Sequence, residues 1–245
     1  MAFTRRTALQ ALSATGIGLA LSPDAHAARQ AQAESQTPGI RAREPHALLP
    51  LPFDPKKLRD ISERMIVSHH ENNYAGAVKN LNKVTEQIAA LPADAPGFLV
   101  GGLRERELVF RNSAVLHEHY FANLGGDGRI GGGVEKAIAT SWTSAARFES
   151  EFRATAQSLA GGSGWVVLAL DLRSRSLGIW WSGNHSQSTA ATCPLLVLDM
   201  YEHAFAIDYG AAAAKYVDAF FANANWEAVD HRLENALRAS QALTQ

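Results

Sequence analysis

Along the first half of the chain, Leu58, Ile61 and Met65, and then Val78, Leu81, Val84, Ile88 and Leu91, recur at intervals of three and four residues. That is the period of a helix with one buried face. Asp54 and Pro55 suit the N-cap and the first helical position, so the spacing predicts a helix starting there and two helical stretches that could run together. A second helix is expected over about 103–124. Val109, Leu116, Phe121 and Leu124 give it an apolar side, and Gly125 is placed to end it. Residues 46–124 therefore read as an α-helical hairpin domain. The segment GGDGRIGGG, residues 125–133, has six glycines in nine positions and is expected to be a link and domain boundary rather than an element. Helices around 134–140 and 144–159 follow. The period then changes: WVVLALDL, the turn RSRS and LGIWW have the form of an antiparallel hairpin, and PLLVLDM supplies a third strand. Helices return over 211–224 and from Trp226 onward. The expected fold class is α+β: an N-terminal helical hairpin, then over 134–245 a domain with a small antiparallel sheet of about three strands covered by helices.

The start of the chain follows a different logic. Arg5 and Arg6 precede an apolar stretch over 8–21 and a small-x-small site at Ala25-His26-Ala27. The apolar stretch is short and interrupted by Gln10, Ser13 and Thr15, so residues 1–27 read as a signal peptide and not a membrane span. The Arg5-Arg6 pair resembles a twin-arginine export signal, and an ordinary secretory signal carries the same features. Either route leads to a periplasmic or secreted protein. Residues 28–45 have few large apolar side chains and no periodicity, which predicts a disordered tether.

Composition narrows the function classes. With 245 residues and 47% apolar content the mature chain can bury a real core. Removing two arginines and one aspartate with the signal takes the formal charge from -1 to -2, so no basic field argues for nucleic acid or an anionic membrane. A single cysteine, Cys193, excludes an internal disulfide and any cysteine-rich metal site.

Candidate chemistry lies with the nine histidines. His69 falls in one arm of the helical hairpin and His117 in the other, Asp199 closes the third strand, and His203 follows four residues later. Three imidazoles and one carboxylate suit Fe, Mn or Zn and leave a coordination position open. Spacing alone leaves a second reading standing, because a helical histidine is more often a surface or hydrogen-bonded core residue and Asp-x-x-x-His pairs occur by chance.

The wider strings carry more. HHENNYAGAVKNLN, LHEHYFANLGG, GGSGWVVLAL, PLLVLDMYEHAFAIDYG and NWEAVDHRL occur in the order, and at about the separations, of the iron/manganese superoxide dismutases. The resemblance spans roughly residues 48–236, and DMYEHAF resembles that family's D-x-W-E-H-A-Y segment. It implies one Fe or Mn ion per subunit, held by His69, His117, Asp199 and His203 between the two domains. It also implies superoxide as substrate and a homodimer. Histidine and aspartate ligands support both the divalent and the trivalent ion, whereas Zn could not cycle.

By the same resemblance Trp165 walls the pocket, as well as being a natural core tryptophan. Glu202 matches a glutamate that reaches a ligand histidine across the dimer. His185 stands at about the place of a glutamine that bonds the solvent beside the metal. Three positions depart from the family: Asn73 and Ala77 replace a histidine and a tyrosine at the substrate gateway, and Ala206 replaces the tyrosine that pairs with that histidine. Tyr74 lies near in sequence but round the helix from Asn73, so it does not replace them. Tyr201, at a position usually held by tryptophan, and His70 are candidates to supply hydrogen bonds instead. Two rivals follow: a non-catalytic metal-binding relative, favoured by the missing gate, and a zinc hydrolase using the same cage.

Overall fold

A computed structural model describes residues 43–243 of the chain. The signal segment and nearly all of the tether expected from the sequence lie outside the described residues. Asp54 does cap a helical turn, its carboxylate accepting from the Lys56 N–H at 3.0 Å, but that turn is a single 3-10 turn, Pro55–Lys57. The expected helix is displaced by a competing cap. Asp60 takes a left-handed φ of 59°, and α1 (Glu63–Ser68) starts after Ser62, whose hydroxyl oxygen accepts from the Met65 N–H at 3.1 Å. Asp208 holds that cap by accepting from the Ser62 N–H and hydroxyl at 2.7 and 2.6 Å. Side-chain acceptors at a helix start satisfy N–H groups that have no partner within the helix.

From α1 the rod runs through a π-helical turn, His69–Tyr74, into α2 (Ala75–Ala89). The two helical stretches are thus continuous, and the widened turn falls on the residues with candidate chemistry, as π-turns often do. α3 (Gly97–Ala122) returns alongside and starts earlier than the glycines suggested. The Pro96 carbonyl accepts from the Leu99 and Val100 N–H groups, and Gly97, Gly101 and Gly102 face open space, so their missing side chains leave no gap to fill. The glycine link then passes against the chain near residue 224. The Gly126 and Gly128 N–H groups donate to Asn223 and Ala224 carbonyls, and a Cβ on Gly126 would lie 2.3 Å from the Ala224 oxygen.

Two helices, α4 (Gly132–Trp142) and α5 (Ala145–Gln157), precede the sheet. β1 (Trp165–Asp171), β2 (Leu177–Ser182) and β3 (Thr192–Asp199) are antiparallel in the order β2-β1-β3. The central strand is buried on both faces, which explains its unbroken apolar run. Register sets Trp165 opposite Asp199 at one end of the sheet, and Pro194 sits where the β1–β3 ladder is irregular, the place a residue without an N–H is tolerated. A 3-10 turn (Glu202–Ala204), α6 (Ala206–Tyr209), α7 (Ala213–Ala222) and α8 (Trp226–Leu243) complete the fold. No helix among the described residues is long and apolar enough to cross a membrane.

Candidate metal centre

Four elements deliver one side chain each to a single point: the π-turn gives His69, α3 gives His117, the end of β3 gives Asp199 and the 3-10 turn gives His203. Their ligand atoms all lie within 4.8 Å of one another. The Nε2 atoms of His69, His117 and His203 stand 3.1, 3.6 and 3.2 Å from the same oxygen, Asp199 Oδ2. Ligands at about 2.0–2.2 Å from one ion leave edges of this length between neighbouring donors.

The protonation state suits a cation. Burial pushes His69 below the usual histidine value and His117 down to about 3, because a low-dielectric interior disfavours the charged ring. Burial alone would raise Asp199, but hydrogen bonds from His203 and His69 hold it well below the carboxylate range. Neutral imidazoles and an ionised carboxylate are the forms that bind metal.

His117 supplies the sharpest test of fit. Its Nδ1 lies 2.6 Å from the Ser113 carbonyl, and a carbonyl only accepts, so the ring proton is on Nδ1 and the lone pair on Nε2. That Nε2 is buried without a hydrogen-bond partner. A buried lone pair left without a partner is costly unless something electrophilic meets it. A metal ion among these four donors does so. Ser113, one helical turn before His117, was not singled out in the sequence, although an i, i+4 pair behind a ligand histidine is a readable signal.

Around the cage, Trp165 is fully buried and its ring meets His117 edge-on at 5.1 Å. Its indole N–H donates to His185 Nδ1 at 3.0 Å. Tyr201 lies between His185 and His203, stacked on them at 4.6 and 5.4 Å, and its N–H donates to Asp199 Oδ1 at 2.8 Å. Burial and the nearby Asp199 raise the Tyr201 hydroxyl above its usual value, opposed by hydrogen bonds from Ser163 and the His185 backbone. A cavity of about 270 Å³ opens beside the cage, bordered by Asn73, Ala77, His117, His185 and His203. His70 is turned elsewhere, 2.8 Å from the Leu49 carbonyl. Tyr74 is buried and bonds Leu49 and Glu118, so it takes no place at the cavity. Glu202 and Ala206 are exposed on this chain.

A helical hairpin and an α+β layer that together gather three histidines and an aspartate around one point, all but His203 buried, define a mononuclear metalloprotein. The comparisons give the class its particular form. Residues 130–232 match the family model described as iron/manganese superoxide dismutases, C-terminal domain. Over 194 residues the chain is 44% identical to a superoxide dismutase [Fe] of Cupriavidus metallidurans, covering 79% of this chain and 98% of that one. A superoxide dismutase [Fe] of Aquifex pyrophilus is 33% identical over 198 residues, 77% of this chain and 92% of its own. Superoxide dismutase [Mn] 2 of Haloferax volcanii is 32% identical over 200 residues, 78% and 97% respectively. The chain belongs to the iron/manganese superoxide dismutase family.

Proposed function

We propose that this protein converts superoxide to oxygen and hydrogen peroxide at one Fe or Mn ion held by His69, His117, Asp199 and His203. The observation that carries the reading is the convergence of three imidazoles and one carboxylate on one point, in a chain whose relatives are iron and manganese superoxide dismutases. When bound, the ion supplies a reversible one-electron couple, taking an electron from one superoxide and returning it to another. Two protons are consumed with the second superoxide.

The chain's own residues set the conditions for this exchange. Ser113 fixes the His117 tautomer, and Trp165 excludes water from behind that ring. His185, which receives the Trp165 N–H on Nδ1, carries its own proton on Nε2 and is the donor beside the cavity. Asn73 and Ala77 border the cavity and bring no phenol or imidazole to the approach, and Phe110 is the phenyl ring on its wall. We place Glu202 at the interface of a homodimer, where its carboxylate accepts from the ligand His203 of the second copy. Export by the signal over 1–27 places the enzyme in the periplasm or outside the cell. A passive metal binder and a zinc hydrolase are disfavoured by the iron and manganese relatives.

Metal analysis and a superoxide assay on protein purified from its own extracytoplasmic fraction test the reading. One Fe or Mn per chain with activity is expected. Stoichiometric zinc, or full iron or manganese loading with no activity, would overturn it.

A further inference from the structure

Away from the metal, β2 is an edge strand with two adjacent tryptophans, Trp180 and Trp181. Successive strand side chains point to opposite faces, yet both residues border one open cavity of about 520 Å³ between the sheet, α3 and the loop after β2. Two glycines make this possible. A Cβ on Gly178 would press on the Trp180 indole at 3.2 Å, and one on Gly183 would meet the Trp181 ring at 2.7 Å. Each ring packs over backbone that has no side chain, and Trp181 remains 53% exposed. An exposed aromatic face held in place by the backbone is a built platform.

The chemistry around the platform is specific. No charged side chain borders the cavity. Its floor is apolar, with Leu116 and Val167, and its rim is neutral and hydrogen-bonding. Asn112 and Gln187 each have one end of the amide occupied: Asn112 Nδ2 donates to the His185 carbonyl at 2.6 Å, and Gln187 Oε1 accepts from the Gly183 N–H at 2.6 Å. The opposite ends, Asn112 Oδ1 and Gln187 Nε2, remain for a ligand, as does the Ser188 hydroxyl. Donors and acceptors alternate round an aromatic face, without a charge to favour an ion.

We propose that this cavity binds a neutral pyranose sugar, one to two rings in length, with a ring face stacked on Trp181 and hydroxyls bonded to Asn112, Gln187 and Ser188. Sugars present C–H groups on a ring face and alternating hydroxyls at its rim, the complement of this surface. The volume lies within the range of small-molecule sites. An open groove with few hydrogen bonds implies weak binding, with a dissociation constant on the order of 1 mM. The loop that would contact the sugar also carries His185, and the Asn112 contact to the His185 carbonyl links groove and metal surroundings.

Saturation-transfer NMR on the full protein with glucose, maltose, cellobiose and N,N′-diacetylchitobiose tests the proposal. At least one of them should receive saturation on its ring C–H protons. Trp181→Ala should abolish that transfer, and Trp181→Phe, which keeps a ring face, should restore much of it. Trp181 is half exposed, so neither change endangers the fold, and circular dichroism confirms that the variants are folded. Absence of transfer to all four sugars, or transfer that survives Trp181→Ala, would overturn the proposal. Neither result depends on metal or dismutase activity.

Discussion

The Trp165 indole donates to Nδ1 of His185 at 3.0 Å, and this one bond decides which nitrogen of His185 carries the proton. Burial pushes His185 below the usual histidine value of 6.5, against the pull of nearby Asp199, so the ring is a neutral Nε2–H donor at pH 7. His185→Ala should therefore retain metal while changing reduction potential and rate, and Trp165→Phe should act in the same direction, more weakly. Titration of His185 should appear in the rate on the acid side of 6.5 and be lost in His185→Gln. Superimposable pH profiles of wild type and His185→Gln at equal metal loading would make His185 a bystander.

Asp199 is the common neighbour of all three ligand histidines, so Asp199→Ala removes the charge that offsets the cation. His117→Ala removes the buried Nε2 lone pair that the Ser113 carbonyl fixes on the cage side. Both variants should lose metal. Chelation of the wild type should lower its melting temperature, since binding to the folded state alone stabilises it by about 4 kcal/mol at a thousandfold excess over Kd. Full metal occupancy in either variant, measured by elemental analysis, would show that the ligand set is wrong.

Glu202→Ala tests the assembly. Loss of a carboxylate that orients a ligand histidine typically weakens metal affinity about 10–100-fold. Sedimentation should report a weaker dimer, or metal retention should fall under chelator challenge. If both stay at wild-type values, Glu202 is an ordinary solvated side chain.

His119 gives a stability prediction that does not involve the cage. Burial, assisted by the charge of Arg232, pushes it down to about 4. Its folded value is therefore below its unfolded one, and the neutral form is favoured in the fold. Stability is unaffected above about pH 6.5 and falls as pH drops from there toward 4, by about 1.4 kcal/mol per unit and about 3 kcal/mol in all. Denaturant unfolding of metal-free protein against pH should show this slope, reduced in His119→Gln. An unchanged slope would assign acid sensitivity to other groups.

Ala77 is buried at the border of the metal-side cavity. Ala77→Tyr should fill part of its roughly 270 Å³ and weaken azide binding to the loaded protein several-fold without loss of metal. Optical titration with azide reads this directly, and unchanged affinity would mean that anions enter by another route.

By itself the sequence determined the order and type of the main elements, because helix and strand periods and the cap residues are local. It also made the candidate ligand set legible, through strings around His69, His117, Asp199 and His203 that resemble one family, and these four side chains do meet at one point. It misplaced two helix starts for a physical reason. Asp54 is a good cap, but Asp208, far along the chain, captures Ser62 and moves the start of α1. Three glycines hid the first turns of α3 because a glycine facing open space weakens the pattern without breaking the helix. Other features existed only once the chain was packed: the π-turn under His69, the Ser113 carbonyl behind His117, the tautomer of His185 and the glycine beds beneath Trp180 and Trp181. Each depends on which groups distant elements bring within hydrogen-bond or van der Waals reach. Periodicity records which face of an element is buried, and tertiary packing alone decides what that face meets.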